Sequence, residues 1–161
     1  MDKYQQSHKD KLFKSKTHDP YLAEHSAGPA LCPHCGALYR TGHWAWSATI
    51  PAETEMVICP ACRRVAENRP AGTLNLSGAF LGAHRQDIIN LIRNTEQLEK
   101  AEHALERIIG INEDKDTVEV TTTGLHLANR IGHALGAAYK GHSRYQYSDD
   151  ETHLSIHWER D

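Results

Sequence analysis

No hydrophobic run in this sequence approaches the ~20 residues a membrane-crossing helix needs, and only 39% of its 161 residues are hydrophobic. A membrane-spanning protein is therefore not expected. The first twenty residues, MDKYQQSHKDKLFKSKTHDP, carry five lysines and no apolar segment. They do not read as a secretory signal, and a cytoplasmic location is expected. Large apolar residues are scarce: Phe, Trp and Tyr number 2, 3 and 6, and Ile and Leu concentrate after Leu74. The core can only be modest, so something besides packing must hold the first half. Also missing are a nucleophile–base arrangement, a glycine-rich phosphate loop and a paired-carboxylate signature. Neither an enzyme nor a small-molecule substrate is expected.

Neither sign of charge dominates, with 18 Lys and Arg against 21 Asp and Glu. The net charge is -3, but residues 1–72 hold nine Lys and Arg against seven Asp and Glu, and residues 73–161 hold nine against fourteen. A basic protein that coats nucleic acid is excluded, and any RNA contact must come from a local patch. Histidine, by contrast, is abundant at 12 residues, each chargeable near pH 6.

Three regions follow. Residues 1–28 form a polar tail rich in Lys and His, without periodicity, expected to be disordered alone. Its Lys11, Lys14 and Lys16, with Lys3 and Lys9, are candidates for phosphate contact. Residues 29–72 hold all four cysteines among short β-like segments (Leu38-Tyr39, His43 to Trp46, Met56 to Ile58), which predict a hairpin ribbon.

Residues 73–161 predict an α+β unit. A strand at Thr73 to Leu76 precedes a helix over Phe80 to His103, with Leu81, Ile88, Leu91 and Ile92 as its buried stripe. Strands at Leu105 to Ile111 and Thr117 to Thr122 flank a turn-forming cluster, Asn112 to Asp116. A second helix over Gly124 to Lys140 is expected to take Thr122 or Thr123 as its N-cap. A hairpin, Ser143 to Ser148 and Thr152 to Trp158, closes the chain. The order β-α-β-β-α-β-β corresponds to a split βαβ, ferredoxin-like unit with an extra edge strand.

The strongest signal is Cys32-Pro33-His34-Cys35, then 23 residues, then Cys59-Pro60-Ala61-Cys62. Each pair turns tightly enough to aim both sulfurs at one spot, and two pairs complete a tetrahedral thiolate shell for one structural Zn²⁺ per chain. A closed shell leaves no open position, and it supplies folding energy to a segment too small to fold alone. Cys32-Pro33-His34-Cys35 also has the residues of a disulfide-exchange site. Such a site should open a long helix, whereas Gly36 and an aromatic β-like run follow. A nucleobase deaminase would need His-x-Glu ahead of Pro-Cys-x-x-Cys, which this sequence lacks.

Around the cysteines, Arg40, His43, Trp44, Arg63, Arg64 and Arg69 mix cations with aromatic planes, together with Tyr39 and Trp46. That combination suits stacked bases and phosphates. One Trp is expected to be buried and one side of the ribbon functional; the alternative is that both Trp pack the ribbon onto the second domain. On the second helix His126, Arg130 and His133 make a polar stripe, the remaining candidates for RNA contact. Gly132 and Gly136 sit at the edge of the apolar face, where helix-on-sheet packing is the expected use. His153 and His157 share a strand face but lack a third metal ligand.

CPHCGALYRTGHWAW, CPACRR and PAGTLNLSGAF, followed by TTTGLHLANRIGHALGAAYKG and a terminal IHWER, resemble a small bacterial group of zinc-ribbon proteins. That group looks like a truncated relative of the Nmd-three large-ribosomal-subunit export adaptor family of archaea and eukaryotes. The likeness spans roughly residues 30–160, and Thr122 to Gly132 is its more specific stretch. The resemblance implies that Cys32, Cys35, Cys59 and Cys62 are metal ligands. It also implies a partner in the ribosome, namely rRNA and proteins of the large subunit. The full-length family has further cysteine pairs and translation-factor-like domains. With two pairs here, the implied role is assembly, quality control or stress-linked silencing (hibernation) of subunits rather than export. The alternatives are a protein–protein adaptor without RNA contact and a metalloenzyme using His clusters.

Overall fold

The alternation Leu74, Leu76 with Thr73, Asn75 and Ser77 builds the central strand of the larger sheet, apolar on one face and polar on the other. The computed structural model describes residues 28–161. The tail expected over residues 1–28, with Lys11, Lys14 and Lys16, therefore lies outside the described residues except for Gly28.

The smaller, N-terminal module contains β1 (Ala30–Leu31), β2 (Leu38–Arg40), β3 (His43–Ala45), β4 (Glu55–Met56) and α1 (Pro60–Glu67). Its sheet has the order β3-β2-β1-β4, with β1 antiparallel to β2 and parallel to β4. The hairpin expected around Tyr39 and Trp44 is present as β2–β3. The second cysteine pair opens a helix, which the hairpin-ribbon expectation did not include. Pro60 at the first helical position has its φ pre-set for helix and lacks only an amide that no intrahelical acceptor would take.

The rest is the expected α+β unit: β5 (Gly72–Ser77), α2 (Ala79–Glu102), β6 (Ile108–Glu113), β7 (Thr117–Thr122), α3 (Leu125–Tyr139), β8 (His142–Tyr147) and β9 (Leu154–Glu159). The sheet order is β6-β7-β5-β9-β8. Four strands keep the split βαβ arrangement. The extra strand β8 takes the edge, so β9 returns parallel to β5.

Leu74 and Leu76 of β5, Val118 and Val120 of β7, and Leu154, Ile156 and Trp158 of β9 are fully buried on one sheet face. Leu81, Ile88 and Ile92 of α2 and Leu127, Ile131 and Leu135 of α3 complete this core. On α3, Gly132 is where the sheet comes close. A Cβ there would lie 2.6 Å from the Tyr145 hydroxyl and 3.3 Å from Ile156 Cδ1, while Gly136 faces open space. The other sheet face is polar throughout its central row, Arg144, His157, Asn75, Glu119 and Asn112 lying side by side across the five strands.

Two differences from expectation bear on the site. The strand expected from Leu105 begins at Ile108, whose amide donates to the Glu96 carboxylate at 2.6 Å. The cap expected from Thr122 or Thr123 is absent. Gly124 occupies the N-cap position of α3, Thr122 ends β7, and the Thr123 hydroxyl accepts from the Arg107 amide.

Candidate metal centre

The first cysteine pair sits in a turn closed by the Gly36 amide on the Cys32 carbonyl and the Cys32 amide on the Ala37 carbonyl, both at 2.9 Å. The Ala37 amide points at Cys35 Sγ at 3.4 Å. In the second pair, Cys59 is the N-cap of α1, and its sulfur accepts from the Cys62 amide at 3.3 Å. Amide donors and the positive end of a helix both favour thiolate over thiol. The fold brings all four sulfurs to within 4.8 Å of one another, with Cys32 and Cys59 buried and all four cysteines free of disulfides.

Four convergent sulfurs with amide donors fit a tetrahedral Zn²⁺ and leave no site for a water ligand. Residues Cys32, Cys35, Cys59 and Cys62 would hold the ion, whose contribution is structural. At Cys32, burial pushes the thiol up, but backbone amides at Cys59, Cys35 and His34 outweigh it and hold the pKa at about 7. Burial pushes the Cys59 and Cys62 thiols up, against the lowering effect of nearby donors.

The residue that sequence reasoning missed is Arg107. Its guanidinium reaches the cluster from the α+β unit, with Nη1 3.1 Å from Cys62 Sγ and Nη2 3.1 Å from Cys35 Sγ and 3.4 Å from Cys59 Sγ. The remaining donors are also satisfied, Nε by the Ala104 carbonyl and the main-chain amide by the Thr123 hydroxyl, both at 2.9 Å. Burial would lower the pKa of this group, but its sulfur partners raise it, so Arg107 stays charged. A zinc ion with four thiolates carries a net charge of −2, and one buried cation beside it offsets half of that. The only sequence signal was a charged pair, Glu106-Arg107, set between Leu105 and Ile108-Ile109.

Trp46 covers the other side of Arg107, with its ring centroid 5.7 Å from the guanidinium carbon and its indole N–H donating to the Lys100 carbonyl at 2.7 Å. Cation–aromatic pairing is thus used inside the molecule. Trp44, expected among the RNA-facing residues, is only 9% exposed and packs edge-on against Tyr39. Its ring is not presented for base stacking. Arg40 and His43 are exposed and face each other across the β2–β3 pair. Arg63 and Arg64 lie on α1 and are half-buried, and Arg64 donates to the carbonyl of exposed Arg69 at 2.9 Å.

The polar stripe on α3 is divided. His126 and Arg130 converge on the buried Glu99 carboxylate, at 2.8 and 3.4 Å, whereas exposed His133 lies beside the Tyr145 ring. His153 pairs with the Thr73 hydroxyl at 3.1 Å, and burial followed by the nearby Arg64 charge lowers its pKa. Three residues separate His153 from His157, a rise of ~13 Å over four extended steps, too far for one ion. Between α1 and the start of α3 runs a groove of about 570 Å³. Glu106 lines it, and its carboxylate accepts from the Leu127 amide at 2.8 Å, in place of the missing α3 cap. A Cβ on Gly124 would overlap this carboxylate, so any larger residue there would have to displace Glu106 from the Leu127 amide.

Among the described residues, no helix is long and apolar enough to cross a membrane. No protein-family model matches the chain, and no curated protein is similar to it in sequence.

Proposed function

We propose that the protein is a non-enzymatic zinc factor whose metal module docks on the large ribosomal subunit, against rRNA and ribosomal proteins. The observation that carries this reading is the closed four-sulfur cage sealed by Arg107, because an ion with no open position shapes a surface rather than transforms a substrate. Arg40, His43 and Arg69 are exposed on the module so shaped, where they suit phosphate contact. The sequence resemblance supplies the ribosome as partner, with assembly, quality control or silencing of idle subunits as the role. Sucrose-gradient sedimentation of lysate tests it. The protein should travel with large subunits at low salt and leave them as salt rises. Recovery only at the top of the gradient, from growing and starved cells alike, contradicts it.

A second reading, a protein–protein adaptor, is favoured by the exposed Ile50, Met56, Ile58 and Val65 of the same module, at 58%, 62%, 41% and 43%. It predicts neither RNA crosslinks nor a salt-dependent RNA affinity.

A further inference from the structure

Away from the cysteines, a carboxylate is buried for which the proposed function has no use. Glu99 lies in the last turns of α2 with only 7% of its side chain exposed. His103, at the C-cap of α2, and His126, in the first turn of α3, both direct Nε2 at its Oε1, from 3.6 and 2.8 Å. The three donor atoms all lie within 4.8 Å of one another, and the imidazole rings stand at 80° to each other. Bonds of ~2.0–2.2 Å to nitrogen and oxygen place the donors of a tetrahedral shell ~3.3–3.5 Å apart. The observed spacings bracket that value.

We propose that Glu99, His103 and His126 form a second metal site, distinct from the cysteine cage, for an exchangeable divalent transition ion such as Zn²⁺. Two imidazoles and one carboxylate select an ion of this borderline class over Ca²⁺ or Mg²⁺, which prefer all-oxygen shells. Arg130 Nε contacts the other carboxylate oxygen, Oε2, at 3.4 Å, which orients Glu99 and leaves Oε1 for the ion. Both histidines also line the groove beside α1, together with Glu106. Three protein donors leave a coordination position open, and water or an anionic oxygen entering from that groove fills it. Without an ion, the buried carboxylate is held by one off-centre guanidinium and by two imidazoles, at 2.8 and 3.6 Å. The ion supplies the charge that compensates its burial.

The test uses the full chain with its cysteine cage already filled by one equivalent of zinc, titrated with Co²⁺ as a spectroscopic probe. The expected result is uptake of one further equivalent, with d–d absorption and no sulfur-to-cobalt charge-transfer band. Glu99→Gln should weaken this uptake at least tenfold, and His103→Ala with His126→Ala should abolish it, while the sulfur-bound zinc and the far-UV circular dichroism stay unchanged. Saturation of the parent protein at one metal ion per chain would overturn the proposal, and that readout needs no variant. Persistence of the second equivalent in the double-histidine variant would overturn it equally.

Discussion

Around Leu74, Ile131 and Trp158 the chain is held by large apolar side chains packed between two helices and a sheet. Around Cys59 the buried cluster is Ala30, Ala37, Ala61, Ala104, two cysteines and one large ring, Trp44. A fully buried Leu, Ile or Phe contributes ~1.5–3 kcal/mol, and an alanine much less. The first region can fold on burial, whereas the second lacks the apolar surface to do so. Zinc–thiolate binding, ~10–16 kcal/mol in small metal-dependent domains, is of the size needed. The two regions are nevertheless joined, since Ala104, Leu105 and Arg107 come from the α+β unit and complete the metal module. A metal cage can thus substitute for a core, and one buried cation can make that cage part of a larger body.

The sharpest way to break this contrast is to remove the metal. Chelation, or Cys59→Ser, should unfold the module while the α+β unit stays folded. In amide NMR spectra, resonances of residues 30–67 collapse and those of β5, β7 and β9 persist. Loss of both sets together would mean the two regions are not separately held. The converse change is Trp158→Ala, which removes a fully buried ring whose N–H donates to the Lys140 carbonyl at 2.7 Å. It should cost ~3–5 kcal/mol in denaturant unfolding, with the metal still bound to whatever fraction remains folded.

The joint between the regions is probed by Arg107→Ala. Zinc affinity, measured by competition with a chromophoric chelator, should fall about 10–100-fold, the usual effect of losing a group that hydrogen-bonds to ligands. Arg107→Lys should recover only part of it, because one ammonium cannot span three sulfurs.

The smallest expected effect is at Glu106. Burial raises its carboxyl pKa in the folded state. Its contribution to stability is therefore present below the unfolded carboxylate value of ~4.3 and is lost as pH rises through the higher folded value. Glu106→Gln keeps an oxygen for the Leu127 amide and removes that loss. Stability should vary less with pH above 4 than in the parent, with a change of about 1 kcal/mol or less at pH 7. An unchanged pH profile would show that Glu106 does not titrate in that range.

Most of the α+β unit was legible in the sequence, because its period-2 strands and 3.6-period helices carry their burial pattern locally. Leu154, Ile156 and Trp158, for example, mark a strand face without any tertiary information. The cysteine pairs were legible for a similar reason: Cys-Pro-x-Cys turns are local. Three features were not. The helix after Cys59 is only eight residues long and polar on average (Arg63, Arg64, Glu67), so its amphipathic pattern spans too few turns to stand out. The α3 cap comes from Glu106, 21 residues ahead of the Leu127 amide it accepts. Arg107 meets Cys35 from 72 positions away. In the last two cases the partner is set by tertiary packing, within the α+β unit for Glu106 and between the two regions for Arg107, which no window along the chain contains.

Four sulfurs alone should surround the ion that shapes the N-terminal module. X-ray absorption at the zinc edge, on protein carrying one equivalent of zinc, tests this most directly. A single shell of four sulfurs at ~2.3 Å is expected. A fit requiring a nitrogen or oxygen donor, or only three sulfurs, would contradict it.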